Sequence, residues 1–151
     1  MSNRQLSASC VVIRDNNVLL VKHTYGAAKG KYLIPGGFSE ENEMPQESAE
    51  REVLEETGVS VKANELIAVR FTLQEVWCIF KADYLCGVPV SDGVENNDAI
   101  FMPIDKALCS DEIADTTKHI LRAILNSDKT MLAKSHFVNP KYDFGTWQIF
   151  I

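Results

Sequence analysis

Three glutamates, Glu52, Glu55 and Glu56, stand in the stretch REVLEETG at residues 51–58. On a helix their i, i+3 and i+4 spacing projects three carboxylates from one stripe. Like charges so placed repel one another by about 0.2–0.5 kcal/mol per pair on an exposed face. Either open solvent or a cation must accommodate them. Hard divalent ions such as magnesium and manganese take oxygen ligands, use a few carboxylates, and complete their shell with water and substrate phosphate. The stripe has the chemistry for such an ion. On spacing alone, a solvated face built from good helix formers is the competing reading.

The charge distribution sharpens the question. The chain carries a net charge of −6, yet residues 40–56 alone hold eight acids and one base. Acidity is therefore local, which suits a cation site and argues against a nucleic-acid groove over the whole surface. Cys10, Cys78, Cys86 and Cys109 form no C-x-x-C pair and fall mostly in apolar runs, so they read as buried reduced thiols rather than zinc ligands or disulfides. His23, His119 and His136 likewise show no ligand spacing. Apolar runs such as VLLV fall far short of the roughly 18 residues a membrane span needs, and the first residues lack the order of a signal peptide. At 151 residues the expectation is one domain over 1–151, in the cytoplasm.

The elements that must position the acids follow from pattern. Residues 6–14 and 18–22 flank the turn sequence DNN and read as a hairpin, with a short strand at 32–34. The loop between contains a near miss to a phosphate-binding loop. Only three residues separate Gly26 from Gly30, and Tyr32 follows Lys31 where Ser or Thr is needed, so that reading fails. Pro45 as first helical residue and Gly58 as left-handed stop bound a helix over 45–57. Period-two segments at 65–73 and 76–85 predict a second hairpin, placing Ile67, Val69, Phe71 and Leu73 on one face and Arg70 and Thr72 on the other. A polar loop at 86–98, a strand at 99–103 and an amphipathic helix at 111–126 complete an α/β chain with a mixed sheet. The aromatic tail from Phe137 to Ile151 is expected to cover a sheet edge or join a homodimer.

Read from Gly37, the chain runs G-x5-E-x7-R-E-V-x-E-E-x-G-V through Glu43, Arg51, Glu52, Val53, Glu55, Glu56, Gly58 and Val59, with Pro35 and Gly36 leading in. This resembles the Nudix box, and all nine specified positions match. The resemblance implies a Nudix-type α/β/α sandwich and magnesium, or manganese, as cofactor. It implies Glu52, Glu55, Glu56 and the Gly36 carbonyl as metal ligands, with Glu43 and Arg51 orienting the loop and the carboxylates. Asn42 stands where many members have glycine, and asparagine tolerates a left-handed backbone. Met44 is a poor helix cap, which leaves the helix start open.

The family reaction is hydrolysis of a nucleoside diphosphate linked to another group. The resemblance implies as catalytic base Glu55 or Glu56, or a downstream acid, for which Glu95 and Asp98 are candidates. Lys22, Lys31, Arg70 and Tyr32 are the candidate substrate contacts. Gln74 and Val76 occupy positions that mark some ADP-ribose and dinucleoside polyphosphate subgroups with proline and tyrosine, so neither mark is present. ADP-ribose or another nucleotide sugar is placed ahead of nucleoside triphosphates and dinucleoside polyphosphates. The alternative class is a catalytically silent nucleotide-binding module. The expected partner is a small nucleotide, without nucleic acid or membrane.

Overall fold

The computed structural model describes residues 4–126 and 148–151. Its elements in chain order are β1 (Gln5–Arg14), β2 (Asn17–His23), β3 (Tyr32–Leu33), β4 (Gly36–Phe38), α1 (Pro45–Thr57), β5 (Ser60–Phe71), β6 (Glu75–Cys86), β7 (Asn96–Pro103), α2 (Ile104–Cys109), α3 (Asp115–Leu125) and β8 (Gln148–Phe150).

The β1–β2 hairpin closes on Asp15 and Asn16, whose φ angles of 49° and 60° are the left-handed pair of a two-residue turn. The two strands pair only next to that turn and then diverge. β4 pairs antiparallel with β1, and β3 with β2, on the edges left facing each other. β6 runs parallel to β1 along its other edge, β5 pairs with β6, and β7 pairs with β2. The mixed sheet is thus centred on β1, and the backbone turn at Pro35 to Gly37 lies where β1 and β2 part.

Both faces of the sheet are covered, as alternation along its strands requires. Ala8, Cys10, Val12 and Leu19 pack with Ala49 and Val53 of α1. Val11, Val18 and Leu20 point the opposite way, toward Ala107 of α2 and Ile120 and Leu121 of α3. The order is helix, sheet, helices, the α/β/α sandwich expected from the sequence.

Several elements differ from their sequence-based bounds. Strand β5 starts at Ser60 rather than 65, because register shifts at Ser60/Val61, Ala63/Glu65 and Leu66/Ala68 break its period of two. One of these shifts falls beside Ile67, so the simple two-face assignment of this strand fails: Ile67 and Ala68 both contact the core on the α3 side. Glu75 belongs to β6 and not to the connection. The expected helix at 111–126 is α3 alone, preceded by a bridge between Ile113 and Tyr32, and the short helix α2 had no periodic signal. Cys86 and Cys109 are exposed rather than buried; all four cysteines are free. Gln148–Phe150 add a strand to β5. His136 and residues 137–147 lie outside the described residues. Among the described residues no helix is long and apolar enough to cross a membrane.

Candidate active site

Helix α1 begins at Pro45, where the Met44 N–H donates to the Glu47 carboxylate at 2.9 Å in place of a side-chain cap from Met44 itself. It ends at Gly58, whose φ of 69° and N–H bond to the Leu54 carbonyl at 2.8 Å form the left-handed stop. Ala49, Val53 and Glu56 repeat at i, i+4 and i+7, so the apolar face that docks on the sheet carries Glu56 inward with it. The three glutamates therefore meet very different surroundings. Glu56 is 2% exposed, the side chain of Glu52 13% and that of Glu55 58%.

Arg51 ties this cluster together. Its Nε and Nη2 donate to the two Glu43 oxygens at 2.8 and 3.1 Å, and its Nη1 donates to Glu52 at 2.8 Å and Glu55 at 2.9 Å. Nη2 also donates to the Phe38 carbonyl at 3.1 Å, fastening α1 to β4. The fork on Glu43 is the bidentate geometry that a planar guanidinium supports. It holds the Glu43 carboxyl down to about 2 and pushes the Arg51 pKa up. Asn42, at φ 65°, turns the loop that delivers Glu43.

Glycines set the distance between helix and strand. A Cβ on Gly37 would lie 2.6 Å from the Glu52 carboxylate, and one on Gly36 would lie 2.0 Å from the Ser9 hydroxyl. At Gly36 no side chain fits against the β1 backbone, while at Gly37 one would displace the Glu52 carboxylate. The Gly36 N–H donates to Glu56 Oε2 at 3.1 Å, while Glu56 Oε1 is buried without a hydrogen-bond partner. Burial drives the Glu56 carboxyl up to about 8 against the Gly36 N–H, and the charges of Glu52, Glu95 and Asp92 push the same way. Burial also raises the Glu52 pKa, opposed by Arg51.

Opposite Glu56 stands a residue the sequence did not single out. His23 Nε2 lies 3.9 Å from Glu56 Oε1 and is likewise buried without a hydrogen-bond partner. Burial lowers its pKa, and the charges of Glu95 and Asp92 act against that. His23 stacks on Tyr25 at 5.6 Å between centroids, and the Tyr25 hydroxyl donates to Glu95 at 3.1 Å. The loop that brings Glu95 here is organised by Asp92, whose carboxylate accepts from the backbone of Val94, Glu95 and Asn96. Buried Asn96 then donates to the Glu56 carbonyl at 3.0 Å, locking the loop to the end of α1.

These groups open on a cavity of about 540 Å³ lined by Gly36, Gly37, Glu52, Glu95, His23, Tyr25, Arg70 and Trp77 among others. The remaining sequence candidates divide. Arg70 lines this cavity, and Lys31 lines an adjoining one of about 480 Å³ while donating to the Asp111 carbonyl. Lys22, Tyr32 and Asp98 form a separate group on β2, β3 and β7. There the Tyr32 hydroxyl donates to Asp98, and Lys22 covers the Tyr32 ring and pairs with Glu112 at 3.0 Å. Spacing alone could not have flagged His23, because it gains its meaning only from Glu56 on α1, which β2 brings it to face.

Among the described residues no three acidic, histidine or cysteine side chains converge as a ready cation cage. Arg51 draws Glu52 and Glu55 to itself, and burial of Glu56 favours its neutral form. The donor set still fits a hard cation. It is all oxygen, it includes a buried carboxylate oxygen with no partner, and glycine backbone approaches it without obstruction.

A mixed sheet between helices, with an arginine-tied acidic helix facing a glycine turn, defines a class of protein that known relatives identify. The NUDIX domain family matches residues 3–124, and the chain belongs to the Nudix family. It is similar to an ADP-ribose pyrophosphatase of Methanocaldococcus jannaschii, at 39% identity over 59 residues covering 39% of this chain and 35% of that protein. It is similar as well to the NAD-capped RNA hydrolase NudC of Klebsiella pneumoniae, at 32% identity over 58% of this chain and 36% of that protein. The chain thus spans about a third of the length of these curated relatives. A NUDIX hydrolase crystal structure from Nitrosomonas europaea superposes with a TM-score of 0.69 at 27% identity, covering 83% of this chain and 72% of that one. The Bacillus halodurans MutT structure gives 0.67 at 25% identity over 96% and 97%.

Proposed function

We propose that this chain hydrolyses the phosphoanhydride bond of a nucleoside diphosphate linked to another group, with ADP-ribose or another nucleotide sugar as the favoured substrate. The observation that carries the reading is the unpartnered Glu56 oxygen, buried beside the Gly36–Gly37 backbone and flanked by carboxylates that Arg51 holds in place. Glu52, Glu55, Glu56 and the Gly36 carbonyl would hold a divalent cation, magnesium or manganese. When bound, such an ion polarises phosphoryl oxygens and lowers the pKa of an attacking water.

The chain's own residues supply the rest. Glu55, exposed and held by one Arg51 nitrogen, is free to exchange that partner for a ligand. Arg51 keeps its fork on Glu43 and, through the Phe38 carbonyl, keeps α1 against β4. Glu95 lines the cleft, oriented by Tyr25, and is the group we assign to take the proton from the attacking water. Asp98, engaged by Tyr32 away from the cleft, is the less suited of the two downstream acids. The likeness to the ADP-ribose pyrophosphatase of Methanocaldococcus jannaschii supports the choice of ADP-ribose.

The test is a panel of nucleotide sugars, dinucleoside polyphosphates and nucleoside triphosphates incubated with magnesium or manganese, with products identified by mass. ADP-ribose giving AMP and ribose 5-phosphate is the expected result. No metal-dependent cleavage of any member would overturn the reading in favour of a silent nucleotide-binding module.

A further inference from the structure

Two buried polar atoms beside the larger cavity face each other with no hydrogen-bond partner among the described residues. They are Glu56 Oε1 on α1 and His23 Nε2 at the end of β2, 3.9 Å apart. The Glu56 side chain is 2% exposed and that of His23 16%. Both are held in place. Glu56 Oε2 accepts from the Gly36 N–H at 3.1 Å, and the imidazole stacks on Tyr25. His23 is also the Cα partner of Asn96 on β7, and the Asn96 side chain is bonded to the Glu56 carbonyl. A short circuit through β2, β7 and α1 therefore fixes the gap.

Buried polar atoms left without a partner cost stability until something completes them. The separation decides what that is. A direct hydrogen bond would bring the two atoms to about 3.0 Å, and a water bonded to both at tetrahedral angle would hold them about 4.6 Å apart. Two donors at about 2.1 Å from one metal ion lie about 3.0 Å apart at right angles and about 4.2 Å apart when opposed. The observed gap falls within the ionic range and away from the other two distances. A nitrogen donor also changes which ion is preferred. Magnesium takes oxygen ligands and gains little from imidazole, whereas first-row transition ions accept it, and manganese shares the liking of magnesium for carboxylates.

We propose that His23 Nε2 is a ligand of the cation held by Glu56, a nitrogen among oxygens that makes the site take manganese ahead of magnesium. The ion enters from the cavity, which His23, Gly36 and Glu52 line. The inference rests on the cation reading of Glu56 given above, and adds to it both His23 and the choice between the two ions.

The experiment reloads EDTA-stripped protein with manganese alone, in wild type and in His23→Phe, which keeps a ring on Tyr25 and loses the nitrogen. Electron spin echo envelope modulation of the bound ion detects directly coordinated nitrogen. Wild type is expected to show an imidazole coupling and His23→Phe to lose it, although His119 and His136 remain in the variant. In calorimetric titration the variant should bind manganese about tenfold or more weakly and magnesium nearly as before. Bound manganese without nitrogen coupling in wild type, coupling that survives in His23→Phe, or wild-type affinity no higher for manganese than for magnesium overturns the assignment. The wild-type spectrum decides the matter even if the variant fails to fold. Hydrolysis by manganese-loaded protein that shows no nitrogen coupling removes His23 and leaves the catalytic reading standing. Coupling without hydrolysis supports His23 and removes the catalytic reading, and absence of manganese binding removes both.

Discussion

Replacing Glu56 with glutamine in cation-free protein should change how stability depends on pH. The glutamine keeps an oxygen for the Gly36 N–H but has no proton to lose. In the wild type, burial raises the Glu56 carboxyl from an ordinary 4.5 to about 8. Because the folded value lies above the unfolded one, the native state holds an extra proton between those limits. Its stabilisation is complete below about pH 4.5 and disappears as pH rises through about 8. At 1.36 kcal/mol per pH unit, a shift of that size corresponds to a loss of about 5 kcal/mol across the window. The raised Glu52 contributes with the same sign and remains in the variant, so the variant's curve should flatten without becoming level. Glu43 does not interfere. Its pKa is lowered to about 2, so its stabilisation is present above about pH 4.5 and lost only as pH falls toward 2. Urea unfolding followed by circular dichroism in EDTA, at several pH values from 5 to 8, gives the comparison. The wild type should lose at least about 3 kcal/mol more than Glu56→Gln over this range. Parallel curves would refute the claim that Glu56 is buried with an uncompensated oxygen.

Substitutions at three further residues probe the supports of the site. Arg51→Ala leaves Glu43, Glu52 and Glu55 without their shared partner and should cost about 3 kcal/mol by urea unfolding. Arg51→Lys should recover only part of that, because one ammonium cannot reproduce the fork. Gly37→Ala puts a methyl group where the Glu52 carboxylate now lies, so kcat/KM should fall by about tenfold or more while the melting temperature changes little. Asn96→Ala removes a buried bond to the Glu56 carbonyl and should destabilise the chain by about 2 kcal/mol in the same denaturation assay.

Local signals carried most of what was legible in the sequence. Pro45 and Gly58 marked both ends of α1, and DNN marked the first hairpin. Nonlocal relations were not legible. Residues 52, 55 and 56 share a stripe by spacing, yet only the docking of α1 through Ala49 and Val53 makes Glu56 buried and leaves Glu55 exposed. The start of β5 was missed because three register shifts hide its alternation, and α2 because six residues give no period to read. Lys22 and Tyr32 looked like substrate contacts by residue type, while cross-strand pairing engages both with Asp98 and Glu112. His23 had no motif at all; β2 carries it to the far side of Glu56.

In the function proposed above, the α1 carboxylates work through a divalent cation on a phosphoanhydride. The most direct measurement is the rate of ADP-ribose cleavage by EDTA-stripped protein as magnesium is restored, for wild type, Glu52→Gln and Glu56→Gln. Activity should return with magnesium in wild type and fall by about a hundredfold or more in each variant at saturating magnesium, as expected when a group that stabilises developing charge is lost. Wild-type turnover in both variants, or turnover indifferent to magnesium and manganese, would contradict it.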